Sequence, residues 1–122
     1  MPVPRVTKEE LKQRLEAADA ASLPVIVDVR LKYPFEHSTV RLPGAIRMAP
    51  EAVDPAQLAR DRDIVVYDSD PDEIVSARVA ADLIGRGFRA AALKGGIAEW
   101  MAANLPTEPR AASPQAPPAA GA

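Results

Sequence analysis

Six residues, Asp68-Ser69-Asp70-Pro71-Asp72-Glu73, carry four carboxylates directly after the apolar run Ile64-Val65-Val66-Tyr67. Open α/β sheets place their ligands where a strand ends and a helix begins. Carboxylates crowded there could hold a divalent cation, accept a phosphoryl group or cap a helix. The D-x-D-x-D-E order resembles the start of a calcium loop. Glu73 stands where such a loop needs its glycine, and Val79 where it needs its last carboxylate, so no metal is expected. Pro71 favours a helix start instead, with Asp70 as N-cap, stabilising by about 1 kcal/mol over alanine, and Pro71 at the first helical position. Asp72 and Glu73 then lie in the first turn, where negative charge favours the helix dipole. Asp68 has no capping role as clear and is the candidate for function. Ser69 and Ser76 lack a histidine to activate them. The single histidine, His37 in Glu36-His37-Ser38-Thr39-Val40, reads as a surface residue.

The elements that position this loop follow from patterning. Thr7 and Glu10 form a capping box, and Leu11, Leu15 and Ala18 then share one face of a helix over 7–20. Val25-Ile26-Val27-Asp28-Val29 and Ile64-Val65-Val66-Tyr67 are β-branched and not alternating, as in strands covered on both faces. Ala90-Ala91-Ala92-Leu93 is a weaker strand, and Ala45-Ile46-Arg47-Met48 and Arg5-Val6 are shorter ones. Asp54-Pro55-Ala56-Gln57 opens a short helix, and Asp70-Pro71-Asp72-Glu73 a longer one to about Ile84. On that helix Ile74, Ala77, Ala81 and Ile84 form the apolar stripe, widened by Val75 and Val79, and Gly85 and Gly87 end it. A last helix over 97–103 follows Gly95-Gly96. Strands alternating with helices predict an α/β fold with a parallel sheet covered on both faces.

Composition narrows the function. The 122 residues suit one domain, with 48% hydrophobic and 26% charged residues. A net charge of −2 and few aromatic residues argue against a nucleic-acid partner. With no cysteine there is no disulfide, thiolate metal site or cysteine catalysis. Met1 to Gln13 contains no apolar core of a signal peptide, and no apolar run reaches the ~18–20 residues that span a bilayer. A cytoplasmic location and no membrane span are therefore expected. From Thr107 the chain turns to alanine, proline and small polar residues. This predicts a domain over 1–106 and a disordered tail over 107–122.

Three further segments occur in order: Asp28-Val29-Arg30, then Arg41-Leu42-Pro43-Gly44-Ala45-Ile46, then Leu93-Lys94-Gly95-Gly96-Ile97-Ala98-Glu99-Trp100, followed by Asn104-Leu105-Pro106. Together with the acidic loop they resemble a single-domain rhodanese over about residues 5–106. The segment Asp68-Ser69-Asp70-Pro71-Asp72-Glu73-Ile74-Val75-Ser76-Ala77-Arg78-Val79-Ala80 is similar to the branch whose loop reads C-x-C-P-N-E-x-x-S-A-R-V-A. The resemblance implies a rhodanese-like α/β fold with a central five-stranded parallel sheet flanked by helices on both faces. It also implies an active-site loop from Ser69 to Ser76, with Asp68 at the position of the nucleophilic cysteine. Arg41 stands where the family usually has a histidine. Asp28 and Arg30 are expected to form a structural pair, and Trp100 a core anchor.

Sulfur transfer needs a polarizable thiolate, and a carboxylate oxygen is a hard, weak substitute. The sequence therefore predicts a domain inactive in sulfur transfer, acting as a binding or regulatory module for a protein partner or a small anion, without cofactor. In this reading the Asp68 carboxylate occupies an anion cradle of backbone N–H groups. Arg30, Arg41, Arg78 and Lys94 are the candidate anion- or partner-binding cations. The competing reading makes Asp68 a Mg²⁺-dependent phosphoryl acceptor. A strand ending in D-x-D resembles haloacid-dehalogenase-type phosphatases, and Asp28 and Lys94 near such an aspartate resemble receiver domains. The later strands and motifs that those folds need are missing.

Overall fold

The computed structural model describes residues 3–16, 23–69 and 74–109. Among the described residues are seven strands and four helices, in the order β1 Arg5–Val6, α1 Lys8–Glu16, β2 Val25–Asp28, α2 Lys32–Glu36, β3 Val40–Arg41, β4 Ile46–Arg47, β5 Asp63–Tyr67, α3 Ile74–Gly85, β6 Arg89–Leu93, α4 Gly96–Ala102 and β7 Glu108–Pro109. Five of the strands form one sheet in the order β1-β6-β5-β2-β4, every neighbouring pair parallel. A parallel strand can follow its predecessor only through a crossover, so the helices must cover the faces. The expected five-stranded α/β sheet is present.

The β5 side chains show why these strands carry unbroken apolar runs. Ile64 and Val66 join a core with Val27, Val29, Leu58, Val79, Leu83 and Phe88 beneath α3. Val65 and Tyr67 join the opposite core with Leu11, Ile26, Leu93, Ile97 and Trp100 beneath α1 and α4. Consecutive side chains point to opposite faces, so a strand covered twice needs apolar residues at every position.

Local chemistry sets the ends of the elements. The Thr7 hydroxyl accepts the Glu10 N–H at 3.1 Å and Glu10 Oε1 accepts the Thr7 N–H at 2.9 Å, which is the expected capping box. Asp54 accepts the Ala56 N–H at 3.1 Å above a single 3-10 turn, Pro55–Gln57, in place of the expected short helix. Gly95 has φ 78° before α4, and a Cβ there would come within 2.0 Å of the Glu99 side chain.

Two further sequence expectations change. The buried face of α3 is Val75, Ser76, Val79, Ala80 and Leu83, whereas Ile74 is 63% exposed and Ala81 also faces solvent. Both stripes are apolar, so periodicity could not choose between them; the contacts at the helix start do. The short helix α2 and the antiparallel pair β3–β7 lay outside the sequence reading. Glu108–Pro109, placed in the tail by composition, pair with Val40–Arg41. Ala18, Asp70, Pro71, Asp72, Glu73 and the rest of the tail from Arg110 lie outside the described residues.

Candidate functional site

Asp68 directly follows β5 at its carboxyl end and is 1% exposed. Two helices hold it. Its Oδ2 accepts the Ser76 N–H, in the first turn of α3, at 2.7 Å. Its main-chain carbonyl accepts the Ile97 N–H, in the first turn of α4, at 2.9 Å. The first turns of helices present N–H groups with no partner inside the helix. A carboxylate fits there because the bond is charge-assisted and the dipole is favourable. Ser76 is itself fully buried, and Ser69 is half-buried beside Asp68.

Beneath this point lies a second buried aspartate with a different kind of partner. Asp28 ends β2, opposite Tyr67 in the register. Its Oδ1 accepts from the Arg30 main-chain N–H and Nε, both at 3.0 Å, and its Oδ2 accepts from Arg30 Nη2 at 2.7 Å. Both side chains are 2% exposed, so the expected structural pair exists as a buried, multiply bonded ion pair. The Arg30 Nη2 also donates to the Val40 carbonyl at 3.1 Å. Its Nε and Nη2 donors are thus engaged inside the protein.

The other candidate cations differ in their settings. Arg41 Nη1 donates to the Ala45 carbonyl at 3.0 Å, and Nη2 lies 3.3 Å from the Glu108 carboxylate. Arg78 and Lys94 are exposed, Arg78 lining a shallow cavity of about 240 Å³ with Pro50, Val53, Val79 and Asp82. His37 is exposed and stacks on Tyr33 with ring centroids 6.3 Å apart. Among the described residues no three acidic or histidine side chains gather as a metal-binding group.

Sequence reasoning missed Arg47 and Tyr67 as parts of the site. Arg47 lies 4.0 Å from the Phe35 ring centroid and donates to the main-chain carbonyls of Asp28 and Arg30. It therefore ties β4 and α2 to the end of β2. A charged residue between Ile46 and Met48 was the available signal. The fully buried Tyr67 hydroxyl accepts the Leu42 N–H at 3.3 Å. Burial pushes its pKa well above the ordinary tyrosine value, with the Asp28 charge adding to the effect. Nothing in the strand pattern shows that Tyr67 has a partner twenty-five residues away.

Residues 7–103 match the family described as Rhodanese-like domain. The chain belongs to the rhodanese-like family. With no cysteine among its 122 residues, this rhodanese-like protein lacks the family's catalytic cysteine. A solved protein from Anabaena sp. is 31% identical, with a TM-score of 0.70 over 84% of this chain and 81% of that one. The rhodanese-related protein from Thermoplasma volcanium shares the fold at 19% identity, with a TM-score of 0.67 over 86% of this chain and 97% of that one. A curated relative, the tRNA sulfurtransferase of Desulfurococcus amylolyticus, is 36% identical over 78 residues, which is 64% of this chain. The chain spans only 15% of that relative's length. No helix among the described residues is long and apolar enough to cross a membrane.

Proposed function

We propose that this rhodanese-like domain does not transfer sulfur and acts as a binding or regulatory module, with Asp68 standing where the family presents its nucleophilic cysteine. The observation that carries this reading is the bond from the Ser76 N–H to the Asp68 carboxylate at 2.7 Å, on a side chain 1% exposed. The carboxylate takes a helix N–H that would otherwise be free to stabilise an anionic sulfur. It also brings a fixed negative charge that opposes a second anion. The relative named tRNA sulfurtransferase suggests sulfur chemistry for that protein. This chain has no thiol with which to form a persulfide.

A protein partner or a small anion is the proposed ligand class, without cofactor and without nucleic acid, for a domain located in the cytoplasm. A phosphoryl-acceptor role for Asp68 is less well supported. An acceptor oxygen must be open to in-line attack, and this carboxylate is buried and already bonded.

A thiosulfate-to-cyanide sulfur-transfer assay on the unmodified protein and on Asp68→Cys tests the proposal. The unmodified protein is expected to give no turnover above a protein-free control. Asp68→Cys is expected to gain measurable turnover, because a thiolate would then face the helix N–H groups. Turnover by the unmodified protein would overturn the reading.

A further inference from the structure

β3 and β7 form a sheet of two residues on each strand, Val40 opposite Pro109 and Arg41 opposite Glu108. Proline has no N–H to give to a ladder, so this pairing is sparse in main-chain bonds. The Glu108 side chain supplies much of what holds it. Its Oε1 accepts the Gly44 N–H at 3.0 Å and lies 3.3 Å from the Arg41 guanidinium. Gly44 has φ 72°, a conformation that side-chain-bearing residues rarely adopt, so the turn presenting this N–H depends on glycine.

A second observation comes from Arg41 itself. Its Nε is buried and has no acceptor among the described residues. A buried donor left unsatisfied is unfavourable and uncommon. A ligand with a second acceptor beside its carboxylate would satisfy it. A strand edge, a backbone N–H and a guanidinium with an unused donor together match strand addition of an extended peptide carrying an acidic side chain.

We propose that the β3 edge, with Arg41 and Gly44, is a docking site for an extended peptide segment bearing a glutamate or aspartate, and that β7 is its built-in occupant. The partner's carboxylate takes the place of Glu108 on the Gly44 N–H and Arg41. The residues next to Asp68 are in contact with this strand and the residue after it: the Val40 carbonyl accepts from Arg30, and the Leu42 N–H donates to Tyr67. The proposal does not depend on the loss of sulfur transfer, so the two can fail separately.

The resident strand is tethered closely, since the Pro106 carbonyl accepts the Trp100 indole N–H at 2.7 Å. A short tether gives an effective concentration in the millimolar range, and an outside peptide must compete with it. The probe is a capped synthetic peptide with the sequence of Leu105–Pro109, titrated into the full chain and into Glu108→Ala while backbone amide resonances are followed. Glu108→Ala is expected to bind it about tenfold more tightly than the unmodified chain, with shifts at Gly44 and Arg41. The same peptide with alanine for its glutamate is expected to lose that binding. No shift at Gly44 in the variant, or equal binding of the alanine peptide, would overturn the proposal. A second measurement uses the unmodified protein and is independent of how the variant folds. The Gly44 amide is expected to exchange with solvent at least about tenfold faster than the Val65 and Val66 amides, through local release of β7. Exchange of Gly44 only at the rate of those core amides would show that β7 does not leave, and would equally overturn it.

Discussion

Asp28 and Asp68 lie near the carboxyl ends of adjacent strands, each 1% exposed, yet they face different partners. Asp28 is neutralised by the buried guanidinium of Arg30, whereas Asp68 Oδ2 accepts from the backbone N–H of Ser76. Removing the Asp28 carboxylate would strand a charge inside the protein, at a cost of about 3–5 kcal/mol. Asp68→Asn keeps an acceptor for the Ser76 N–H and loses the charge assistance of that bond, about 1–2 kcal/mol. Urea unfolding of Asp28→Ala and Asp68→Asn should therefore rank them in that order. A larger loss in Asp68→Asn would mean that the Asp68 charge is the more important to the fold. Tyr67 carries a pH prediction. Its folded pKa is raised above the ordinary value of 10.0, so its contribution is complete below pH 10 and lost as the pH rises through the folded value. Only the unfolded chain releases the proton in that window. The stability of the unmodified protein should fall above pH 10 by up to about 1.4 kcal/mol per pH unit relative to Tyr67→Phe. At neutral pH the variant should be less stable by about 1–3 kcal/mol, because the buried Leu42 N–H loses its acceptor.

At the scale of elements, the ends of the helices do more than stop them. The first turn of α3 holds the Asp68 carboxylate and that of α4 holds its carbonyl, so the two helices together fix the end of β5. Gly95 makes the turn into α4 with φ 78°, and a Cβ would meet Glu99 Cβ at 2.7 Å and Cγ at 2.0 Å. Gly95→Ala should destabilise by at least about 1–2 kcal/mol from the left-handed backbone alone. Gly95→Ala combined with Glu99→Ala should recover only the part due to the Cγ clash, because the Cβ at position 99 stays 2.7 Å away, and thermal melts of both variants would measure that part. At α1, the Thr7 N–H bond holds the Glu10 carboxyl below its ordinary pKa of 4.5. The stabilisation from this box is complete above pH 4.5 and is lost as the pH falls through the lower folded value. Glu10→Gln should flatten that part of the acid limb of a stability profile. An unchanged acid limb would show that the box does not contribute in solution.

For the molecule as a whole, the sheet separates two cores, with Leu83 and Phe88 on one side and Leu11 and Trp100 on the other. Trp100 is the single tryptophan and is fully buried. Its emission should shift to the red in one step with loss of helical circular dichroism, if both cores unfold together as small domains do. Leu83→Ala, in the core remote from Trp100, should move that transition by about 2–5 kcal/mol. A shift seen by circular dichroism and not by Trp100 would show that the two cores unfold separately.

The alternation of strands and helices was legible because it follows from local patterning. Runs such as Ile64–Tyr67 are apolar at every position only when both faces are covered, and the Thr7–Glu10 box marks a helix start within four residues. The end of β5 as the place for the loop was legible for the same reason. Long-range decisions were not. The sequence pattern placed the stripe of α3 on Ile74, although Val75 is equally apolar; bonds to Asp68 and packing on β5 turn the helix to bury Val75 instead. A sequence cannot show that Asp28 and Val40 take the Nε and Nη2 donors of Arg30. The Ala/Pro-rich composition after Pro106 hid Glu108, whose place depends on Gly44 and Arg41 more than sixty residues earlier. The sequence by itself therefore determined the class of fold, the missing thiol and the carboxylate at the strand end. Only the tertiary structure decided which charges are buried, which are paired and which surface remains to bind, because those depend on distances between residues far apart in the chain.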